Sequence, residues 1–191
     1  GIALNVSGDI NLANGAWTPL FTFDDNTLAV GDGILTAGSI NFIDAGDIGT
    51  HALTIGNGTA TVTGNVTGGL IPALTSVTVS GTGTLNLGGT FLTPAAADFN
   101  AGTSTVNYNG ATQTIENFTY NNLTTSGSGT KTFADDSDIN GAITIGAGTT
   151  LVSSVSHTVG GNWTNNGTFT NSSGTITRDG TAQSIGGSNA T

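Results

Sequence analysis

The residues best suited to chemistry lie in the segment Asp136–Gly141, which reads DSDING. Oxygen ligands at alternate positions, followed by a glycine bend, match the first half of a calcium-binding loop. The twelfth position of the segment is Ala147, where such a loop needs a bidentate glutamate. The same letters are also typical of a turn in which Asp and Asn bond to their own backbone. Asp136, Asp138 and Asn140 are the candidate calcium ligands, and no other cofactor is expected.

The remaining acids could serve hydrolysis of a glycosidic bond, which needs two carboxyl groups at a set separation. Two further clusters occur at predicted turns: Asp24, Asp25 and Asp32, and then Asp44 and Asp47. Enzymes of β-helix shape that cleave polysaccharides also use basic residues beside the bond, whereas the only two cations here are far apart in sequence. We therefore expect that the protein is not an enzyme.

The two histidines, His51 and His157, each stand beside an alternating strand pattern. Neither has an acidic or serine partner in an arranged motif. We expect partly exposed side chains at both positions and assign neither a role.

Asn-x-Ser/Thr triplets are frequent and offer candidate glycosylation sites. In a chain this rich in Asn and Thr, such triplets also arise by chance. The nine asparagines concerned are Asn5, Asn57, Asn65, Asn117, Asn122, Asn162, Asn166, Asn171 and Asn189.

The charge balance excludes two classes of partner. Charged residues make up 7% of the 191 residues, against a typical value of about 25%. Two cations against twelve acids leave a net charge of −10. Binding to nucleic acid needs Lys and Arg to displace counterions from phosphates, and an anionic membrane surface needs them for attraction. No apolar run approaches the roughly 18 residues of a membrane span, so we expect neither partner.

Composition also indicates the compartment. The chain is acidic, rich in Thr, Asn and Gly, and contains no cysteine. It starts at Gly1 without an initiator methionine, as a processed chain or a piece of a longer one would. We expect an extracellular or cell-surface protein.

Period-two alternation dominates the sequence and predicts short strands. Ser76–Thr84 (SVTVSGTGT) and Ala142–Gly146 (AITIG) are examples, each rich in β-branched residues and bounded by Gly or Asn. In Gly160–Thr175 (GGNWTNNGTFTNSSGT), Trp163 and Phe169 are predicted to point inward from strands joined by a turn at 165–167. No helical period of useful length is present.

Internal repeats indicate how these strands are arranged. Gly88–Ile115 and Gly160–Ile185 share their GG-x-aromatic openings and their closing NGATQTI or DGTAQSI, and Ala52–Thr59 resembles Ala142–Thr149. Such units bury a core only when they stack on one another. The predicted fold is all-β: a β-solenoid of short strands, forming one elongated domain over residues 1–191. The alternative is an antiparallel β-sandwich of hairpins with strand addition between subunits.

The repeat GGNWTNNGTFTNSSGTITRDGTAQSIGG resembles those of bacterial and archaeal surface proteins, the adhesin-type chains with parallel β-helices. The resemblance covers Gly88 to the C-terminus well and residues 1–87 only loosely. It implies an extracellular, elongated and non-enzymatic element of a fibre, adhesin or surface layer.

The resulting functional hypothesis is a structural protein that polymerises end to end with copies of itself. The apolar residues of the first predicted strand segment, residues 1–12, would add to the open end of a neighbouring subunit. These are Ile2, Leu4, Val6, Ile10 and Leu12.

Two other binding functions compete with this hypothesis. In a glycan-binding adhesin module, an exposed Trp17 or Trp163 would stack on sugar rings. In an ice-binding solenoid, threonine runs such as Thr59–Thr63 (TATVT) would line a flat face.

Overall fold

The computed structural model describes residues 2–13, 25–43, 49–69, 71–93 and 98–189. Within them the chain is an all-β solenoid of stacked parallel strands, with a single 3₁₀ turn at Pro72–Leu74. The predicted solenoid is confirmed, and every strand pair runs parallel rather than antiparallel as in a sandwich of hairpins. No helix in the described ranges is long and apolar enough to cross a membrane.

Three faces alternate along the chain, and the first is one uninterrupted sheet. Sheet 1 contains nine strands in chain order, each separated by one coil: β1 Ala3–Asn5, β4 Ile34–Ala37, β7 Thr59–Val62, β10 Thr84–Leu87, β13 Thr105–Tyr108, β16 Asn122–Thr125, β19 Ile143–Ile145, β22 Trp163–Asn165 and β25 Ile185–Gly186.

The second and third faces are each divided into two sheets of four strands. On the second face, sheet 2 holds β2 Ile10–Ala13, β5 Ile40–Ile43, β8 Val66–Thr67 and β11 Phe91–Thr93, and sheet 4 holds β14 Gln113–Ile115, β17 Gly129–Phe133, β20 Thr149–Ser153 and β23 Thr168–Asn171. On the third face, sheet 3 holds β3 Asn26–Gly31, β6 His51–Ile55, β9 Thr75–Val79 and β12 Asp98–Asn100, and sheet 5 holds β15 Thr119–Tyr120, β18 Ser137–Ile139, β21 His157–Val159 and β24 Ile176–Arg178.

The core consists of columns of inward side chains, because alternate residues of each strand face the interior. Along sheet 1 the pairing register stacks nine such residues: Leu4, Leu35, Ala60, Leu85, Val106, Leu123, Ile143, Trp163 and Ile185. The seven interior members are at most 4% exposed. Each coil thus covers the core of its neighbours, as the repeat argument predicts.

Side-chain oxygens at the corners explain the abundance of Asn, Asp and Ser. In one ladder Asp9 Oδ1 accepts the Ser39 amide at 2.9 Å, Ser39 Oγ accepts the Asn65 amide at 3.3 Å, and Asn65 Oδ1 accepts the Thr90 amide at 2.9 Å. Each step joins one coil to the next outside the sheets. These bonds satisfy backbone donors that the bends remove from the strand ladders.

Close stacking also requires glycine at particular corners. A Cβ at Gly161 would meet the backbone of Gly141 in the preceding coil. Gly127 has φ +74°, the left-handed region that other residues rarely adopt. Glycine-rich corners therefore follow from the spacing of the coils rather than from disorder.

A seam interrupts the stack in the middle of the chain. No ladder in the described strands joins β11 to β14 or β12 to β15, so sheet 1 alone is continuous there. The spacing between paired residues of sheet 1 is 25 from Leu35 to Ala60 but 17 from Val106 to Leu123. The wider coils therefore give way to narrower ones at the seam, and the strands of the other two faces no longer align.

Aromatic rings fill the interior of the seam. The Phe99 ring lies 5.1 Å from Phe91 and 5.4 Å from Phe118, both in edge-to-face geometry. The hydroxyls of Tyr108 and Tyr120 are 2.9 Å apart, and Tyr120 Oη donates to the Glu116 carbonyl at 2.8 Å. These large side chains occupy the space left where the cross-section changes.

The repeat units fold alike locally but lie on different faces. The strand Thr105–Tyr108 of the first copy belongs to sheet 1, whereas its counterpart Ile176–Arg178 belongs to sheet 5. Gln113 and Gln183 nevertheless bond equivalent carbonyls, those of Leu87 and Gly89 and those of Val159 and Gly161. Sequence similarity between the repeats therefore indicates the same local corner structure, but it does not indicate the same face of the solenoid.

Candidate functional site

The residues predicted for assembly form the first coil of the solenoid. Ile2 and Leu4 are 87% and 49% exposed, while Val6, Ile10 and Leu12 are half-buried. One edge of this coil pairs with β4 and β5 of the same chain. Exchange of residues 1–12 with a neighbouring copy stays a prediction.

The last described coil mirrors the first. Ile185, the final member of the sheet 1 column, is 56% exposed, although its register partner Trp163 is 4% exposed. In the third-face column Tyr120–Ile139–Val159–Arg178, the last place is taken by a cation. The Arg178 Nε and one terminal nitrogen are shielded from water without an acceptor among the described residues. Both ends of the stack therefore present core side chains that a further coil would cover.

The candidate calcium ligands lie on a strand and at its two ends. Asp138 is in β18, Asp136 and Asn140 flank it, and all three are exposed, while Ser137 and Ile139 between them are buried. Asp136 Oδ1 accepts the Ser156 amide at 2.7 Å, and Asp138 accepts the Thr158 hydroxyl. No group of three or more His, Cys, Asp or Glu in the described ranges is close enough to hold a metal ion. Calcium binding stays a prediction, on two carboxylates that already join neighbouring coils.

The other acids do not form a pair where the structure describes them. Asp25 and Asp32 flank opposite ends of β3, and Asp24, Asp44 and Asp47 lie outside the described residues. Asp25 Oδ1 accepts both the amide and the hydroxyl of Thr50 at 2.8 Å, and these bonds lower the pKa of its carboxyl. Asp32 Oδ1 accepts the Asn57 amide at 2.9 Å. These carboxylates act as corner acceptors.

The expectation of partly exposed histidines is wrong for both residues. His51 and His157 are buried on the inward side of sheets 3 and 5, since their register places them in core columns. His157 Nδ1 accepts the Ser137 amide at 3.1 Å, and Nε2 lies 2.8 Å from Ser153 Oγ. Since Ser153 Oγ donates to the Val155 carbonyl, Nε2 carries the proton and the ring is neutral. Burial lowers the pKa of His157.

Most of the nine candidate glycosylation asparagines are engaged in contacts between coils or within turns. Asn57, Asn65, Asn122, Asn162 and Asn166 accept backbone amides of the next coil, and Asn171 and Asn189 donate to carbonyls. Asn5 and Asn117 are exposed. Glycosylation of any of the nine stays a prediction.

The predicted sugar-stacking tryptophans and the predicted threonine face differ in how the structure bears on them. Trp163 is buried against Phe169, with ring centroids 4.9 Å apart, and cannot stack on a sugar, while Trp17 lies outside the described residues. Thr59 and Thr61 face outward on sheet 1, but the equivalent positions in the next coil are Thr84 and Asn86. The face is therefore a mixed array of Thr and Asn, and ice binding stays a prediction.

A groove on the third face is the main feature that sequence reasoning missed. At the seam, a cleft of about 540 Å³ opens beside the unpaired edge of β12. Its lining includes Asp98, Phe99, Thr119, Asn121 and Asn140. The one sequence signal is the concentration of aromatic residues between 91 and 120.

A second cleft continues the groove along the solenoid axis. It measures about 410 Å³, shares Thr119 with the first, and is lined among others by Asn117, Asp136, Asp138 and Thr158. The lining residues of both clefts include three carboxylates and no Lys or Arg. Of the two cations, Arg178 follows the lining residue Thr177 but pairs in register with the inward-facing Val159. Lys131 is buried, and its Nζ donates to the carbonyls of Gly110, Ala111 and Ser128.

No protein-family model matches the chain, and comparisons with curated proteins and with solved structures found no match either.

Proposed function

We propose that the protein is a structural element of an extracellular fibre or surface layer, in which solenoids stack end to end with copies of themselves. The observation that carries this proposal is the sheet 1 column, whose end members Leu4 and Ile185 are about half exposed although every residue between them is buried. Burying such side chains is favourable by about 25 cal/mol per Å² of apolar surface. A further coil on either end would bury them.

The strand edges support the same arrangement. Within the described chain, β1 pairs only with β4 and β25 only with β22, so each has an unpaired outer edge. Unpaired edges are templates for strand addition. Parallel stacking of β1 on the β25 of another copy would continue sheet 1 with the same direction and inward residues. The contact joins two different surfaces, and therefore generates a filament rather than a closed dimer.

Arg178 adds a polar requirement to the C-terminal surface. Its shielded nitrogens lack an acceptor among the described residues, and leaving a buried donor unsatisfied costs about 1–3 kcal/mol or more. Carbonyls or a carboxylate of an added coil would supply that acceptor. The surface is thus suited to a partner coil and not to an apolar lipid environment.

The test compares Leu4→Asp and Ile185→Asp, each of which places a charge on one end only. The unmodified chain is expected to form filaments by electron microscopy, and each variant alone is expected to remain monomeric by light scattering. An equimolar mixture of the two should form dimers, because each variant retains the opposite intact end. The matched control is Ile71→Asp, an exposed isoleucine away from both ends, which should still polymerise.

Monomers of the unmodified chain at all concentrations would refute self-assembly. Dimers formed by either variant alone would indicate a like-with-like contact and refute the head-to-tail geometry.

A further inference from the structure

We infer that the groove on the third face binds a linear, uncharged oligosaccharide. This inference goes beyond the structural role and does not rest on it, since the groove lies on the side of the solenoid and the stacking surfaces lie at its ends.

The seam creates the groove for a structural reason. Sheet 3 ends at β12 and sheet 5 begins at β15, and no ladder joins these strands in the described chain. The unpaired edges of β12 and β15 leave an opening, and residues of both strands line it. Its volume of about 540 Å³ is within the roughly 300–1,000 Å³ typical of ligand sites.

Its lining matches the two sides of a sugar ring. Phe99 lines the cleft and is half-buried, since its ring also packs on Phe91 and Phe118; we place the apolar face of a pyranose against the part of Phe99 that stays exposed. Asp98 accepts hydrogen bonds only, whereas Asn140 and Thr119 can both donate and accept. All three side chains are exposed. Hydroxyl groups, which also donate and accept, are the complementary ligand groups.

The charges of the groove select against other ligands. Asp98, Asp136 and Asp138 give it a negative potential with no lining cation to offset it. Uronates, sulfated glycans and nucleic acids would be repelled. An uncharged glycan has no such penalty.

The shape of the groove favours a linear chain. The two clefts meet at Thr119 and together extend from Ser76 on β9 to Thr177 on β24. Six strands of the third face lie along this path, which is about 20 to 25 Å at the usual strand spacing. Several sugar rings in an extended chain would contact both clefts at once.

The test is calorimetric titration of the full chain with linear hexasaccharides of β-1,4-glucose, β-1,3-glucose and β-1,4-mannose. An oligogalacturonate of equal length, a lysine-rich peptide and calcium chloride alone are titrated in parallel. At least one neutral hexasaccharide is expected to bind, and the oligogalacturonate is not. Failure of all three neutral sugars would overturn the inference, and binding of the peptide or calcium alone would reassign the groove to a cation.

Three variants locate the site. Asp98→Asn should weaken binding about tenfold or more, because a hydrogen bond to a charged acceptor is replaced by a weaker one. Phe99→Leu should weaken it about five- to tenfold through loss of the aromatic surface. Thr119→Arg, which places a long side chain where the clefts meet, should abolish it.

The matched control is Thr61→Arg, the same substitution on the outer face of sheet 1, and it should leave affinity unchanged. Because Phe99 also packs in the aromatic cluster, the folding of the Phe99→Leu variant is checked by thermal melting. Asp98 and Thr119 are exposed and keep the test decisive if Phe99→Leu unfolds. Unchanged affinity in both Asp98→Asn and Thr119→Arg would show that the sugar binds elsewhere and overturn the assignment. If the unmodified chain bound the sugar but formed no filaments, only the structural role would be refuted.

Discussion

Leu4 and Ile185 occupy the two ends of one column of inward side chains, with seven residues stacked between them. Both are about half exposed, at 49% and 56%, and each is the place where the next coil would be added. The two ends of the solenoid are therefore complementary in strand direction and in the position of their apolar side chains.

Salt is predicted to promote the stacking of copies. Each chain carries a net charge of −10, so docking two chains brings like charges together, while the contact itself is apolar and backbone-mediated. Raising ionic strength from about 0.01 to 0.15 M shortens the Debye length from about 30 to 8 Å. The apparent association constant, measured by light scattering, should rise several-fold.

The Leu4→Asp variant is the control and should show no response to salt. A fall in association with added salt would mean that ion pairs, and not apolar contact, hold the copies together.

Acid is predicted to destabilise the solenoid through His157. Because burial lowers its pKa, the neutral form is favoured in the folded state, and its contribution to stability is complete above the unfolded pKa of about 6.5. That contribution is lost as pH falls from 6.5 through the lowered folded value, since protonation of Nδ1 removes the acceptor for the Ser137 amide. The midpoint of thermal unfolding should be constant from pH 8 to 6.5 and fall below it.

His157→Gln provides the comparison, because it keeps an acceptor but does not titrate. The melting temperature of this variant should be lower than that of the wild-type chain at pH 8, and it should change less between pH 6.5 and 5. An equal slope in both proteins would assign the acid response to other groups.

Lys131 is predicted to stabilise the coil that follows the seam. Its Nζ donates to Gly110 and Ala111 carbonyls at 2.6 and 2.9 Å and to the Ser128 carbonyl at 2.5 Å. Lys131→Met would leave these partly buried acceptors without their donor and should lower the free energy of unfolding by about 1–3 kcal/mol. Chemical denaturation measures the change.

Lys131→Gln should lower the free energy of unfolding by less than Lys131→Met does. Gln113 and Gln183 already donate hydrogen bonds to carbonyls at comparable corners. If the Met and Gln variants were equally unstable, the carbonyl contacts would not be the reason.

Glu116→Gln is predicted to stabilise the protein at pH 7. Burial beside the tyrosine pair raises the pKa of Glu116, so its charged form is disfavoured in the folded state. The difference in stability between the Gln variant and the wild-type chain should shrink as pH falls through the raised value, because the wild-type carboxyl then becomes neutral in the folded state. At pH 7 we expect an increase of about 1 to 3 °C in melting temperature.

Asp179→Asn removes an equal charge from an exposed position and should leave the melting temperature nearly unchanged. A similar increase in both variants would indicate relief of general repulsion and not of a local burial penalty.

Local structure could be predicted because each strand carries its own signal. Trp163 and Phe169 point inward on either side of a turn at 166–167, as their alternation and the Asn-Gly letters predict. A period of two identifies which side chains are buried regardless of which strand lies next to them.

The seam could not be predicted, because strand pairing is not a local property. Phe91 and Trp163 hold equivalent places in the two repeats, yet they lie on different faces, in sheets 2 and 1. Which coil is wide and which is narrow depends on connection lengths summed around the whole turn. The groove arises where a wide coil meets a narrow one, and no sequence motif therefore marks it.

The burial of polar residues could not be predicted for a related reason, and the expectation for both histidines was therefore wrong. Lys131 and both histidines stand at inward positions of alternating strands, but residue type alone favours the surface for them. Lys131 bonds the Gly110 carbonyl and His157 accepts the Ser137 amide, and both partners lie in the preceding coil, 20 or more residues away. Alternation outweighs residue type where a neighbouring coil supplies such partners.

In the proposed fibre, the seam would also have a mechanical consequence under tension. In a solenoid the ladder hydrogen bonds run along the axis, so a pulling force reaches every coil in series. Three sheets resist it at an ordinary boundary between coils, but at the seam only sheet 1 crosses. The first extension should occur there, as a bend that opens the second and third faces and keeps sheet 1 intact. The protein would then yield at one defined joint, and the coils on both sides would remain folded.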